Sequence, residues 1–533
     1  MAQNAIFGIN SKLDTGGIID NLVKLQRTPI DIVNGKRTIE EAKLNSFKDL
    51  KDRLQNFKSV VNTLNTDARF LSTLGAFANN NTSDNNSVVG ISTSSQAASG
   101  TYSLTVNNLA RETKLVSDGF ASISSTISQG TLTITVGSNT VAINIDSTND
   151  TPDGLRLAIN NSGLDVKASF VNDGSSTSPI RLTLSGTKSG LDNAVTVSSS
   201  SSNLVSFSQT QSAQNSNFYL DGVSITKSGN VVSDVIEGAI LTLESAGSGT
   251  VTLNSDTDAI KGKIQSYVDG FNAIMTHLNS ELALNTTTGS TGVLFANFTV
   301  QNLQQTLRES ISKQIVGVTG NYEYLSQIGI GTARDGTVTI DDAKLSTALA
   351  DDVGNVSQLF SSSSSTSSSA VTFIGFTSNT VPGGYNIKVS NGVPQLAASG
   401  SSTYVDATGT GSFFAGAVGT DAEGLNFRIA SLSDGSYGRI GLSIGVAEIT
   451  NRAIAKLTDA SLQGPLEAEI DSATDSIKDF DETISKLEGR VVLFEKSVRQ
   501  RFTNLEVVLG KLNSQKSAFE SSIAGIQSLS RGK

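Results

Sequence analysis

The chain has 533 residues, a formal net charge of −10, a single histidine, and neither cysteine nor tryptophan. Without cysteine there is no disulfide, thiol nucleophile, thiolate zinc site or iron–sulfur cluster, and His277 alone cannot supply the paired imidazoles of most zinc and non-haem iron centres. An acidic balance with 17% charged residues suits neither a basic nucleic-acid binder nor a highly charged disordered chain, and about 150 residues per domain predicts three to four domains.

The start, MAQNAIFGINSKLDTGGIIDNLVKL, lacks the unbroken apolar run of a cleaved signal peptide. Nowhere do about 18 apolar residues run together, so no membrane insertion is expected. Absence of a signal fits a cytoplasmic protein. Absence of cysteine fits equally a chain that leaves the cell unfolded through a dedicated channel, and composition leaves both open.

In chain order, Ile18, Leu22 and Leu25 open an amphipathic helix. Pro29 is expected to interrupt it, because its ring clashes with the preceding turn and it has no N–H. From Phe47 the apolar residues are Phe47, Leu50, Leu54, Phe57, Val61, Leu64, Ala68 and Leu71. Their alternating steps of three and four are the repeat of a supercoiled helix. The period then becomes two in GTYSLTV (100–106), GTLTITVG (130–137), VAINI (141–145), IRLTLSG (180–186), AVTV (194–197) and GAILTLES (238–245). Gly, Asn, Asp and Ser bound each run, which predicts antiparallel strands and turns. Within this region 151–164 reads as a short helix, with Leu155, Ala158 and Ile159 on one face and Gly163 as its cap.

Helix resumes from Asp258 and again over 300–315. SSSSSTSSS (361–369) reads as a flexible polar linker, and 371–445 as a second strand-rich block. The C-terminal end carries a longer seam: Ile470, Ala473, Ile477, Phe480, Ile484, Leu487, Val491, Phe494, Val498, Arg501, Leu505, Val508, Leu512, Gln515 and Phe519. Only Arg501 and Gln515 are polar. The plainer alternative is one long helix covering a globular core. Gly489 and Gly510 each weaken the helix by about 1 kcal/mol relative to alanine. The fold class is therefore α+β multidomain, with terminal coiled-coil helices pairing as a stalk and antiparallel β-rich domains inserted between them.

Polar candidates are few. His277 sits in a helical run and reads as a structural or exposed residue. The pairs Asp341–Asp342 and Asp351–Asp352 lack a histidine or glycine-loop partner, and Asp341 suits a helix N-cap. GIGTARDGT (329–337) lacks the phosphate-loop signature and reads as a turn. Lys511 and Lys516 read as a solvated helix face. No enzyme chemistry, cofactor, metal or nucleic-acid partner is expected.

Five segments resemble the flagellar hook-associated protein 2 family of filament caps: SKLDTGGIIDNLVKLQRTPI (11–30), SGTYSLTVNNLARETKLVSDGFAS (99–122), DGLRLAINNSGLDVKASFVNDG (153–174), FYLDGVSITKSGNVVSDVIEGAILTL (218–243) and RFTNLEVVLGKLNSQKSAFESSI (501–523). Leu13, Asp14, Ile18, Ile19, Leu22 and Pro29 carry the first match, with Lys12 where the family has glycine, and 153–174 resembles a repeat shared with flagellins and hook proteins.

The resemblance implies export without a cleaved signal peptide and a ring, a homopentamer by family description, at the tip of the bacterial flagellar filament. There it would retain exported flagellin and promote its polymerisation, as filament elongation and motility require. The implied partners are further copies, flagellin, the hook–filament junction protein and a cytoplasmic export chaperone. Phe47, Leu50, Leu54, Phe57, Val61, Leu64, Ile470, Ile477, Phe480, Ile484, Leu487, Val491, Phe494 and Val498 are expected as the coiled-coil or oligomer seam. Leu505, Val508, Leu512 and Phe519 are expected as chaperone or filament contacts.

The implied division is residues 1–42 with 485–533 as leg helices, and 43–75 with 256–360 and 446–484 as a helical stalk. Residues 76–115 with 212–255 form a β head, 116–211 an inserted β domain, 361–370 the Ser-rich linker and 371–445 an extra β-rich domain. The alternatives are a surface adhesin, which the Ser/Thr/Gly-rich sheets suggest, and another flagellar axial protein.

Overall fold

The computed structural model describes residues 14–80, 87–95, 97–459 and 464–530, with side chains to residue 525. Its helices, among the described residues, are α1 (Thr15–Val61), α2 (Asp67–Phe70), α3 (Pro152–Asn160), α4 (Thr257–Glu281), α5 (Phe298–Ser312), α6 (Asp342–Asp351), α7 (Val353–Phe360), α8 (Val446–Thr458) and α9 (Pro465–Ser530). Two compact units result. One comprises Thr66–Ile264 and Ala343–Ser361; the other comprises Met1–Asn65, Gln265–Asp342 and Ser362–Lys533.

The first unit is mostly sheet. A five-stranded antiparallel sheet runs in the order Thr73–Asn79, Gly247–Ser255, Gly100–Asn108, Ser216–Leu220, Val223–Lys227. A three-stranded sheet (Val231–Ile236, Ala239–Leu243, Val89–Thr93) shares its core of Leu104, Phe218, Leu241, Val251 and Leu253. The Asp221–Gly222 turn has φ of 49° and 80°, the left-handed pair that a two-residue hairpin requires. Residues 114–211 build a second core around Leu132, Ile134, Leu155, Ile159, Leu182 and Leu184. There Thr151 caps α3, its hydroxyl accepting from the Gly154 N–H at 3.0 Å, ahead of a proline in the first turn. Asn160 acts as a strand neighbour for Ala168, donating to its carbonyl at 3.0 Å and accepting from its N–H at 2.8 Å. Asp352 caps α7 by accepting from the Asn355 N–H at 3.0 Å.

The second unit joins the helical ends to two sheets drawn from 362–444. One runs Ser362–Thr366, Gly435–Ile444, Gly383–Ser390, Val393–Ala398, Val405–Asp406, the other Val371–Gly375, Asn426–Ile429, Phe413–Ala415, Thr408–Thr410. Their shared core includes Tyr385, Leu425, Phe427, Ile440 and Leu442. Arg452 of α8 holds this block at its base. Its Nη atoms donate to the carbonyls of Thr377, Ser378 and Thr380 at 3.0–3.1 Å, Nε donates to Glu448 at 3.2 Å, and the guanidinium lies 5.3 Å from the Phe376 ring.

Three local expectations are corrected. The serine run is not a free linker: Ser362–Thr366 pairs along its length with Gly435–Ile444, from Ser362↔Ile444 to Thr366↔Ile440. The apolar partner strand supplies the burial, while Ser363 and Ser443 share a hydroxyl contact at 2.7 Å. Pro29 does not interrupt α1. It lies on an exposed face beside Leu25, 72% exposed, so water can satisfy the Leu25 carbonyl that would otherwise have bonded residue 29. Finally, α1 stops at Val61, so Ala68 and Leu71 leave the seam. Asn62–Asp67 is rich in turn formers, and α2 starts a new helical turn there.

Candidate assembly surfaces

Asp14 caps α1, its carboxylate accepting from the Gly17 N–H at 2.9 Å. A Cβ on Gly17 would stand 2.5 Å from that carboxylate, which explains the LDTGG start physically: acceptor, then a residue without a side chain. Leu13 of that motif lies outside the described residues.

Arg37 pairs with Asp481 at 2.6 Å, and Lys51 pairs with Glu467. Fourteen residues forward along α1 match fourteen back along α9, so the two helices run antiparallel. The α1 stripe in this contact is Ile19, Val23, Gln26, Ile30 and Val33, with Ile19 and Ile30 fully buried. Ile18, Leu22 and Leu25, the apolar row that opens this helix in the sequence, lie on the adjacent stripe and are exposed. Both stripes step by three and four. Further along, Phe47, Leu50, Leu54, Phe57, Val61 and Leu64 are all buried. Phe57 packs on Tyr267 at 5.3 Å and Phe271 at 6.4 Å, both from α4, so at this residue the row serves a helical bundle. Tyr267 in turn meets the Thr450 hydroxyl of α8 at 2.9 Å, and burial raises its pKa.

On α9, Ile470, Ala473, Val491 and Val498 are buried, and Ile477, Phe480, Ile484, Leu487 and Phe494 are half-buried. Continuing the antiparallel count places Thr15 opposite Thr503. Beyond it α9 runs on for about 40 Å at 1.5 Å per residue. Leu505, Val508, Leu512 and Phe519 sit on this extension and are exposed. Lys511 and Lys516 are exposed too, the latter 3.7 Å from Glu520.

Sequence reasoning missed the loop between α4 and α5. An uncharged run from Leu282 to Leu307 covers it and most of α5, exposing Leu284, Val293 and Phe295 on the loop and Phe298 at the start of α5. Asn297 caps α5 through the Val300 N–H at 3.0 Å and donates to Glu469 of α9 at 3.1 Å. The uncharged run was the available signal.

The polar candidates resolve into structure. His277 lies 3.6 Å from Asp49, yet burial, with the Arg53 charge, lowers its pKa from 6.5. Desolvation outweighs the exposed carboxylate, so the ring is neutral at pH 7. Asp341 directly precedes α6, Asp342 and Asp351 begin and end that helix, and Gly329 and Gly336 take left-handed turn conformations. Among the described residues no His, Cys, Asp or Glu group could hold a metal ion, and no helix is long and apolar enough to cross a membrane.

Paired helical ends, sheets inserted between them and exposed apolar helix faces define a structural assembly subunit. The model of the "Flagellar hook-associated protein 2 N-terminus" matches residues 11–113, and that of the C-terminus matches 213–514. The B-type flagellar hook-associated protein 2 of Pseudomonas aeruginosa is 29% identical over 60% of this chain and 72% of its own. The flagellar hook-associated protein 2 of Escherichia coli K12 is 27% identical over 67% and 80%. The crystal structure of the flagellar cap protein FliD D1-D2-D3 domains from Escherichia coli aligns with TM-score 0.50 and 26% identity, over 59% of this chain and 89% of that one. The chain belongs to the flagellar hook-associated protein 2 family.

Proposed function

We propose that this chain is a subunit of the cap at the distal tip of the bacterial flagellar filament, retaining exported flagellin and promoting its polymerisation beneath the cap. Beside family membership, the observation that carries this reading is the α9 extension past Thr15, with Leu505, Val508, Leu512 and Phe519 exposed along one stripe. A helix this long that leaves its seam in water is completed by another molecule. We assign that role to neighbouring cap subunits, flagellin and, before export, a cytoplasmic chaperone, with the hook–filament junction protein as first platform. The assembly is a ring, a homopentamer on the family pattern, outside the cell at the filament tip.

The test is deletion of the coding sequence, followed by microscopy of the filaments and assay of the medium. Short or absent filaments with monomeric flagellin in the medium are the expected result. Normal filaments with lost surface attachment would replace this reading with an adhesin. Restoring the deletion with Leu512→Asp and Phe519→Asp addresses the extension itself: these chains fold as the parent but fail to restore filaments.

A further inference from the structure

The hairpin that links Gly383–Ser390 to Val393–Ala398 turns through Asn391 and Gly392, with φ of 51° and 74°, the left-handed pair of a two-residue turn. Asn-Gly is also the step at which a peptide chain most readily attacks itself. Glycine has no side chain to keep its nitrogen away from the side-chain amide carbon of the asparagine before it. The chain carries two such steps, Asn34–Gly35 and Asn391–Gly392. The first lies inside α1, where each N–H is committed to the carbonyl one turn back. The second is exposed at the hairpin tip.

The Gly392 N–H, which has to lose its proton for that attack, donates to the Asp434 carboxylate at 3.1 Å. Strand pairing puts Asp434 there: it immediately precedes Gly435–Ile444, and Gly435 pairs with Val389, two residues before Asn391. A carboxylate within hydrogen-bond reach of the proton to be removed has the geometry of a general base. A second hairpin shows that this turn does not need asparagine. Asp221–Gly222 makes it with φ of 49° and 80°, so an aspartate in place of Asn391 fits the same backbone.

We propose that Asn391–Gly392 is a site of self-modification by deamidation, with Asp434 as its base. Asp434 takes the Gly392 N–H proton, and the nitrogen bonds to the side-chain amide carbon of Asn391. The amide nitrogen leaves that carbon with the proton as ammonia, which closes a succinimide. Water then opens the ring. Opening at the former side-chain carbon yields aspartate, and opening at the backbone carbonyl yields isoaspartate. Aspartate keeps the hairpin and adds a negative charge beside Asp434. Isoaspartate adds one carbon to the main chain, a length that the two-residue turn closing Ser390↔Val393 does not accommodate. The hairpin tip thus changes with the age of the molecule, whether or not the cap reading holds.

The test is peptide mapping by mass spectrometry of the full-length protein aged at neutral pH, once folded and once in urea. The urea sample gives the rate of each step without structure. Folding should halt the reaction at Asn34 and speed it at Asn391, where aspartate and isoaspartate both appear. Asp434→Asn keeps an acceptor for the Gly392 N–H but removes the base. It should slow the folded reaction about ten-fold, a smaller factor than a fully positioned catalytic base supplies. The proposal is overturned if folded wild type deamidates at Asn391 no faster than in urea, since the turn then only protects the amide. It is overturned equally if a folded Asp434→Asn chain reacts as fast as wild type or faster. Should that variant fail to fold, the wild-type comparison decides by itself.

Discussion

Two glycines of α4 should answer the same substitution with opposite signs. Replacing either by alanine gains about 1 kcal/mol of helix propensity. At Gly262 the new Cβ meets nothing within 4 Å, so Gly262→Ala should keep that gain. At Gly270 the Cβ would stand 2.6 Å from Cδ2 and 3.0 Å from Cε2 of Phe57. Phe57 has little room to retreat, because it is buried in the bundle, with Tyr267 and Phe271 of the same α4 face at 5.3 and 6.4 Å. Overpacking a filled core costs about 1–3 kcal/mol, so Gly270→Ala should be net destabilising by about 1 kcal/mol. The propensity gain is common to both variants, which leaves their difference as the overpacking cost alone. The assay is urea denaturation of each full-length variant followed by helical ellipticity, reading the midpoint of the helical transition. A Phe57→Leu background should rescue part of the Gly270→Ala loss, as two contacting residues require. If Gly270→Ala raised the midpoint as Gly262→Ala does, the packing described around Phe57 would be refuted.

Three further outcomes follow from named contacts. Because burial lowers the His277 pKa from 6.5, folding favours the neutral ring. The stabilisation from His277 is therefore complete above pH 6.5 and is lost as pH falls below it. Thermal melts of wild type and His277→Gln should converge as pH falls below 6.5, and parallel curves would count against this, since the chain has no second histidine. Arg452→Met strips the carbonyls of Thr377, Ser378 and Thr380 of their donor. It should cost about 2 kcal/mol and speed proteolytic cleavage near residues 376–381. In Asn272→Leu the Val338 N–H and carbonyl, now bonded at 2.6 and 2.8 Å, lose both partners. A loss of about 2 kcal/mol is expected, whereas Asn272→Asp should keep the Val338 N–H bond and lose less.

What the sequence shows and hides follows from where each element finds its stabilisation. The helical ends were legible because a repeat of three and four sustained over many turns has one structural meaning. The strands Gly100–Asn108, Gly130–Val136, Asn139–Ile145, Ile180–Gly186, Val195–Ser199 and Ala239–Leu243 were legible because alternation and turn residues agree. The strand Ser362–Thr366 was not, because nothing in a serine run is apolar; its order comes from Gly435–Ile444, some 70 residues away. Pro29 misled for a related reason: the rule against proline in a helix presumes that the freed carbonyl is buried, and burial is a property of the fold.

The two stripes of α1 show the deepest ambiguity. Ile19, Val23 and Val33 each lie one position after Ile18, Leu22 and Ile32, and both rows carry the same period. Periodicity identifies an amphipathic helix but cannot say which of two adjacent apolar rows meets the partner helix of its own chain. Once α9 is seen to take the first row, the second is left with Gly35 and two isoleucines in water. A helix with one apolar row needs one neighbour, and a helix with two needs two. Among the described residues the second row stays exposed, and an apolar row left in water is the mark of a face that meets another molecule.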